Sequence, residues 1–331
     1  MTRRRWAPLL LLALLLALAL VVSIATGAAA LPPGTVLRAL LGRGAAADVA
    51  IVLQLRLPRA LVAALVGGAL ATSGAVFQAL LRNPLADPYI LGVSGGAAVG
   101  AVAAMALGAA VGAGWLVPVA AFGGAIVAIV LVFRIAMGAG RALDTRVLLL
   151  AGVVAGAFFN ALILLFLTLT GAGAFRSALF WLMGSLSAAS WPQALLLAVY
   201  LLPATLALLL LARPLDLLAL GEEPALYLGV RVERVKAAAY VVASLAVAAS
   251  VATCGAIGFV GLVVPHALRL IWGSGHRLLL PASFLAGAAF LLLADTAART
   301  VAGAQELPVG VVTALVGVPV FAVLLTRRRG P

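Results

Sequence analysis

The stretch GAVFQALLRNPLADPYILGVSGGA (residues 74–97) joins two long apolar segments through a short polar connection that begins at Arg82. Apolar segments of about 17–25 residues, the length a helix needs to cross a bilayer, recur along the whole chain. Hydrophobic residues make up 66% of the sequence and charged residues 9%, whereas about a quarter of the residues of a soluble protein are charged. The segments lack the short alternating pattern of an outer-membrane β-barrel. The sequence therefore predicts an all-α integral membrane protein.

The basic excess of the chain does not indicate nucleic-acid binding. Lys and Arg number 22 against nine acidic residues, but they stand singly between apolar segments and form no basic stripe with interleaved aromatic residues. Cys254 is the only cysteine, so neither an intramolecular disulfide nor a cysteine metal cluster can form. His266 and His276 are the only histidines, which disfavours a histidine-built metal or haem centre. We expect this chain to bind no nucleic acid, metal or cofactor.

Polar residues divide the chain into ten predicted transmembrane helices, which form a single domain over residues 1–331. The first follows a basic start, as a cleaved signal also would, but its apolar stretch exceeds the signal core of about 7–15 residues. We therefore favour a retained first helix over a cleaved signal. The span 257–272 is short and contains Gly258, Gly261 and Pro265, which predicts a broken helix shielded from lipid. The predicted spans are 6–28, 60–81, 88–110, 115–137, 147–170, 193–212, 237–254, 257–272, 278–298 and 308–326.

The distribution of basic residues predicts the orientation of these spans. With the N-terminus inside, sixteen Lys and Arg residues lie on the cytoplasmic side of the inner membrane and six on the outer side. This asymmetry follows the positive-inside rule and places both termini in the cytoplasm. The largest cytoplasmic loop is then 213–236, and two non-spanning segments, 31–59 and 174–191, lie on the periplasmic side. The six outer residues are Arg38, Arg43, Arg56, Arg59, Arg176 and Arg299.

Two residue types shape the second and third spans. Pro58 is expected to prevent the second span from continuing backward, because proline lacks an N–H and clashes with the preceding turn. Small residues allow membrane helices to approach closely, so we interpret the glycines of these spans as packing positions. These glycines are Gly67, Gly68, Gly74, Gly92, Gly95, Gly96 and Gly100.

Ionisable residues inside the spans, the usual sign of an ion path or a catalytic site, are few. Asp295 and Arg299 lie four residues apart near a helix end and can pair along one face, in a structural or a functional role. We assign the polar residues Gln78 and Asn160 to a translocation path. Without paired mid-membrane carboxylates or a His-Glu-x-x-His motif, a membrane enzyme is disfavoured. An ion-coupled secondary transporter, which would require a carboxylate relay, is the alternative of a different class.

The segment GEEPALYLGVRVERVK (residues 221–236) is unusually charged for this chain. Glu222 and Glu223 begin a possible helix, Pro224 falls in its first turn, where proline costs little, and Gly229 can end it in a left-handed conformation. A helix of about two turns is too short to be stable alone, so we expect a docking partner. An ordinary solvated loop is the alternative.

An ATP-binding P-loop is absent from the sequence. The P-loop pattern requires a lysine directly after a glycine, and Lys236, the only lysine, follows a valine. If ATP drives transport, its energy must therefore enter from a partner protein.

Several of these stretches together resemble one family, the membrane permeases of type II ABC importers for iron-siderophores, haem and cobalamin. The resemblance extends over about residues 50–326, and its blocks follow the order found in the family. The blocks are GAVFQALLRNPLADPYILGVSGGA (74–97), GEEPALYLG (221–229), GAIGFVGLVVPHALRL (255–270), HRLLLP (276–281), LLLADTAAR (291–299) and ELPVG (306–310).

The resemblance implies a homodimer of ten-helix subunits with the translocation path at the dimer axis. Two ATPase subunits, which would bind ATP and Mg, dock on the cytoplasmic side, so this chain is not itself an enzyme. A periplasmic substrate-binding protein docks on the outer side, on arginines that the charge distribution places there, namely Arg56, Arg59 and Arg299. The residues implied to contact the ATPase are Glu222, Glu223, Ala225, Leu226, Leu228 and Gly229.

The resemblance further implies transport by alternating access, with a ferric-siderophore or similar metal chelate moving from periplasm to cytoplasm. The same role for cobalamin or haem is the alternative, because the binding protein selects the cargo. A mostly apolar path with small residues fits a large chelate better than a hydrated ion.

Overall fold

A computed structural model of the chain describes residues 3–27, 29–108, 115–138, 143–301 and 305–326. Within these residues all regular structure is helical, as predicted, and a π-helical segment (Ile51–Arg56) and a 3-10 turn (Pro88–Leu91) accompany the α-helices. The α-helices are α1 (Arg3–Ala25), α2 (Pro33–Leu40), α3 (Ala46–Ala50), α4 (Leu57–Leu80), α5 (Val93–Ala106), α6 (Leu116–Met137), α7 (Thr145–Leu169), α8 (Ala172–Leu182), α9 (Trp191–Leu210), α10 (Ala212–Leu218), α11 (Glu222–Tyr227), α12 (Val232–Cys254), α13 (Val260–Trp272), α14 (His276–Thr300) and α15 (Val309–Thr326).

Every predicted span coincides with one apolar helix. Among the described residues, seven helical segments are long and apolar enough to cross a membrane, and they contain α1, α4, α6, α7, α9, α12 and α14. The three remaining spans fall on the shorter apolar helices α5, α13 and α15. The all-α membrane fold is confirmed, but α5 and α13 are too short to cross a bilayer of about 30 Å at 1.5 Å per residue.

Helix α4 lies at the centre of the bundle, where α9, α12, α13 and α14 pack around it. Every residue from 66 to 80 is buried. Glycines make this packing possible. A Cβ on Gly67 would lie 2.3 Å from the carbonyl oxygen of Gly287 on α14, and one on Gly74 would lie 1.8 Å from that of Gly261 on α13. The interpretation of these glycines as packing positions agrees with the structure.

Helices α5 and α6 meet through a second pair of small-residue contacts. A Cβ on Gly96 would lie 2.4 Å from the carbonyl oxygen of Gly124, and one on Gly100 would lie 2.1 Å from that of Ala120. The two helices therefore touch backbone to backbone, as expected for small residues in membrane helices.

The third predicted span begins five residues later than expected. Residues 88–91 form the 3-10 turn, and Gly92, with a φ of 77°, separates it from α5. Pro88 packs inside the bundle. A Cβ on Gly261 would lie 2.8 Å from Pro88 and 2.9 Å from the carbonyl oxygen of Leu70 on α4. Leu70 lies ten residues before the end of α4, about 15 Å along its axis, so the connection after α4 folds back into the bundle before α5 starts.

The predicted break in the span 257–272 is present. Residues 255–259 are not helical, and α13 begins at Val260. The Tyr89 hydroxyl donates to the carbonyl oxygen of Ile257 and accepts from its N–H, both at 2.8 Å. Protein thus satisfies these backbone groups, which irregular backbone at membrane depth requires.

Pro58 does not stop the second span, contrary to the prediction. The helical chain runs without interruption from Ala46 to Leu80, through the π-helical segment into α4. The N–H of Leu57 bonds to the carbonyl oxygen of Val52, five residues back, and this π-type turn lies where proline would otherwise clash with the carbonyl four residues back. The predicted non-spanning segment 31–59 is therefore partly an extension of the span, and only α2 forms a separate helix within it.

The second predicted non-spanning segment, 174–191, contains most of a short helix and irregular chain, and its place on the periplasmic side stays a prediction. Helix α8 ends at Leu182, and α9 begins at Trp191. The indole N–H of Trp191 donates to the carbonyl oxygen of Leu53 at 2.8 Å, which joins the start of α9 to the π-helical segment.

We predict that Gly74→Ala destabilises the protein by about 1–3 kcal/mol or more, because the added Cβ would overlap the backbone of Gly261. Gly123→Ala on α6 is the matched control, since its Cβ would meet nothing within 4 Å and alanine favours a helix. The measurement is the thermal unfolding midpoint of the two detergent-purified variants. Equal midpoints would contradict the tight contact between α4 and α13.

Candidate functional site

Two groups of predicted functional residues lie near the ends of the central helix α4, the arginines at its start and α11 beside Arg82, which follows its end. Arg59 is near its first residue and Arg82 follows its last, so the two are about 34 Å apart along the axis. Arg59 belongs to a group that we name the arginine cluster, and Arg82 lies beside α11. The members of the arginine cluster are Arg56, Arg59, Asp295, Arg299 and Glu306.

The local conformation of α11 is the one that its sequence predicts. Glu222 and Glu223 occupy the first turn, and Gly229 follows the helix with a φ of 83°. The N–H of Gly229 bonds to Leu226 at 2.9 Å and the N–H of Val230 bonds to Ala225 at 3.0 Å. This pair of hydrogen bonds is a Schellman motif, in which glycine supplies the left-handed residue.

Helix α11 is anchored on one side and presents apolar side chains on the other. Ala225 is fully buried, whereas Leu226, Tyr227 and Leu228 are 57%, 92% and 59% exposed. We name these three residues the apolar tip. Contiguous exposed apolar side chains with charged neighbours are typical of a protein interaction site, so the apolar tip fits the expected docking surface.

Glu222 is engaged within the chain. Its carboxylate lies 3.0 Å from the ammonium group of Lys236, which is buried, and 3.7 Å from the guanidinium group of Arg82. Glu223 remains exposed. Of the residues expected to contact a partner, Glu222 thus has an internal role, and the apolar tip together with Glu223 is accessible.

Beside Lys236, Asp144 forms the N-cap of α7. Its carboxylate accepts from the N–H of Arg146 at 2.7 Å and from that of Val147 at 3.3 Å. These backbone hydrogen bonds stabilise the charged form and lower the pKa of Asp144.

Arg59 and Asp295 form the centre of the arginine cluster. Asp295 is fully buried and lies 2.9 Å from Arg59 Nη2 and 3.1 Å from Arg299 Nε. The predicted pairing of Asp295 with Arg299 is therefore confirmed, with Arg59 as a second partner. Arg59 Nη1 lies 2.9 Å from Glu306, whose side chain is 40% exposed. A buried carboxylate with two guanidinium partners is well compensated electrostatically.

Arg56 and Arg299 hold the end of α1. Arg56 donates to the carbonyl oxygens of Ile24 and Ala25 at 2.8 and 2.9 Å, and Arg299 donates to that of Ser23 at 3.1 Å. The last carbonyl groups of a helix have no intrahelical partner, so these contacts satisfy acceptors at the end of α1. Both arginines are only 5% exposed. The structure brings the three predicted docking arginines together, but it occupies their guanidinium groups within the chain.

The two residues assigned to a translocation path differ in their surroundings. Gln78 is buried, donates to the carbonyl oxygen of Leu262 at 3.2 Å and accepts from Arg269 at 3.2 Å, so it links α4 to α13. Asn160 is exposed on α7, about 22 Å along the helix from its first residue. Asn160 is therefore exposed in the single chain, whereas Gln78 is enclosed at the contact between α4 and α13, and their assignment to a translocation path stays a prediction.

An apolar cleft lies between α8, the break before α13, and α15. Its volume is about 510 Å³. The residues that line it include Leu182, Met183, Ala256, Gly310, Ala314 and Val318. Within the described residues, no group of three or more His, Cys, Asp or Glu side chains is placed to hold a metal ion.

Two permeases of known import systems are similar to this chain over most of its length. The vitamin B12 import system permease protein BtuC of Klebsiella pneumoniae is 44% identical over 327 residues, which cover 99% of this chain and 95% of the relative. The cobalamin import system permease protein BtuC of Halobacterium salinarum is 48% identical over 278 residues, 84% of this chain and 74% of the relative.

A solved structure has the same fold. It shows an ABC transporter assigned to the metal-chelate type in an inward-facing conformation, with a TM-score of 0.86 and 33% sequence identity. The match covers 96% of this chain and 98% of the other. The profile of the FecCD transport family matches residues 14–327. The chain therefore belongs to the FecCD transport family and is the permease of a type II ABC importer.

Proposed function

We propose that this chain is the membrane permease of an ATP-driven importer for a large metal chelate, with a cobalamin as the preferred cargo. The assignment of the cargo rests on the 44–48% sequence identity to permeases named for vitamin B12 and cobalamin. It favours the cobalamin alternative over a ferric-siderophore or haem. The solved transporter of the metal-chelate type supports the broader class.

The proposed path lies between two copies of the chain. Helix α7 carries an exposed face with Asn160, and the cleft beside α15 is lined almost entirely by apolar side chains. Such surfaces suit a bulky chelate, because a desolvated small ion would need a ring of polar ligands. In our proposal the homodimer alternates access at this axis, and Gln78 stabilises the contact between α4 and α13.

The ATPase is proposed to dock on α11. The apolar tip supplies area for burial, and the Schellman motif holds it in a fixed conformation before the partner binds. Two ATPase subunits, one under each copy, would bind ATP and Mg, and this chain would hydrolyse nothing itself.

The periplasmic binding protein is proposed to dock at the arginine cluster, with Arg59 as the direct contact. Arg59 Nη1 faces the partly exposed Glu306, whereas Arg56 and Arg299 are buried behind it. In this proposal the arginine cluster lies outside, and α11 and both termini lie in the cytoplasm, as the distribution of basic residues also predicts.

The proposed function predicts ATP-dependent uptake of a cobalamin by proteoliposomes that contain the permease, its ATPase and its binding protein. Uptake should stop with a hydrolysis-deficient ATPase and should resist ionophores that collapse ion gradients. The converse result would identify an ion-coupled secondary transporter. ATP-dependent uptake of a ferric-siderophore with no uptake of cobalamin would contradict the proposed cargo.

We predict that the apolar tip contributes much of the affinity of the permease for its ATPase. The double substitution Leu226→Ser and Leu228→Ser should weaken ATPase binding by about tenfold or more, the scale of lost apolar anchors in an interface. Both leucines are exposed, so the fold should persist. Leu37→Ser on α2 is the control, because Leu37 is 62% exposed and lies on the side proposed to face away from the ATPase. A binding titration that gives equal affinities for both variants would refute the assignment.

Arg59→Gln is predicted to weaken binding-protein affinity by about tenfold and to reduce the salt dependence of binding. Asp295 would retain Arg299 as a partner, so the buried carboxylate stays compensated. Arg82→Gln, beyond the other end of α4, is the control. Affinity is measured across a salt series with the binding protein added to the outside of right-side-out vesicles. Unchanged affinity and slope would exclude Arg59 as the contact, and no binding to wild type would argue against the orientation.

A further inference from the structure

Lys236 connects three elements near the start of α12. It is the only lysine of the chain and is 3% exposed. Its ammonium group lies 3.0 Å from Glu222 on α11 and 2.7 Å from Glu233 on its own helix, and it also donates to the carbonyl oxygen of Leu143. A buried ammonium group is tolerated only when its donors are paired, and these three acceptors supply the pairing.

The connection continues from Leu143 into α7. The N–H of Leu143 donates to Glu233, and its carbonyl oxygen accepts from Lys236, so side chains of α12 hold both backbone groups of this residue. Leu143 is buried and immediately precedes Asp144, the N-cap of α7. The first turn of α7 is therefore fixed to α12, and through Lys236 to α11.

We propose that Lys236 transmits movement of α11 to α7 during the transport cycle. The inference rests on the proposed function, in which the ATPase docks on the apolar tip. Glu222 and the apolar tip belong to the same short helix, which is stabilised at its end by the Schellman motif. When the ATPase moves the tip, Glu222 moves with it, and Lys236 carries the displacement to Leu143 and the start of α7. Helix α7 then carries Asn160 on its exposed face.

The surroundings of Lys236 allow a transmitting role to be distinguished experimentally from a purely structural one. The side chains of Glu222 and Glu233 are 35% and 44% exposed, so water can solvate both carboxylates when the ammonium group is removed. Loss of Lys236 should therefore loosen the connection without leaving a buried charge unpaired. The contact of Glu222 with Arg82 is longer, at 3.7 Å, and Arg82 is 48% exposed, so it contributes little to the connection.

The test uses Lys236→Met, which keeps most of the aliphatic stem and removes the ammonium group. The assembled complex of permease, ATPase and binding protein is reconstituted in proteoliposomes, and cobalamin uptake and ATP hydrolysis are measured together. We expect the ATPase to remain bound and active, while uptake per ATP hydrolysed falls by about tenfold, a typical allosteric coupling. Arg82→Gln, the matched control, should change this ratio by about twofold at most.

A ratio that is unchanged in Lys236→Met would overturn the proposal. If that variant fails to assemble, Glu222→Ala decides, because it removes the contact between α11 and Lys236 and leaves Lys236 paired with Glu233 and with the carbonyl oxygen of Leu143. A reduced ratio in Glu222→Ala, with the ATPase still bound, supports the proposal, and an unchanged ratio overturns it. Failure of the proposed function would appear in the wild-type complex itself, as an absence of ATP-driven uptake, and would overturn both proposals.

Discussion

Close backbone contact of α4 with α13 and α14 holds the centre of the helical bundle together. Apolar burial contributes little to association between helices in a bilayer, because lipid is as apolar as a leucine side chain, so close packing has to hold them. Gly74 meets Gly261, and Gly67 meets Gly287, at distances that exclude any side chain. These contacts fix α4 at the centre, and its two ends then position the arginine cluster and α11 about a membrane thickness apart.

The same close packing permits irregular backbone inside the bundle. The connection that contains Pro88 and the break at residues 255–259 both lie against protein, and Tyr89 satisfies both backbone groups of Ile257. Lipid could not have supplied these hydrogen bonds. Helices α5 and α13 are short because part of each predicted span forms non-helical backbone instead of helix.

Local patterns of the sequence were sufficient to predict the apolar helices and the conformation of α11. Apolar segments identified the spans, and the Glu-Glu-Pro start with a following glycine predicted the capped helix. Contacts between distant residues could not be predicted in this way. Arg59 and Asp295 are 236 residues apart in the sequence, and no local pattern indicated that Lys236 would hold Glu222 or that Arg56 would bind the end of α1. The π-type turn before Pro58 was missed because the rule for proline assumes regular α-helical hydrogen bonding.

The two ends of α4 offer different physical bases for association in the proposed assembly. At the arginine cluster every guanidinium group already has an internal acceptor, and a partner carboxylate would compete with the partly exposed Glu306 for Arg59. An ion pair between partly exposed charges contributes a modest free energy in water and is weakened by salt. At the apolar tip, burial of Leu226, Tyr227 and Leu228 removes apolar surface from water without displacing an internal contact. The chemistry therefore favours a transient, salt-sensitive contact with the binding protein and a lasting, salt-tolerant contact with the ATPase.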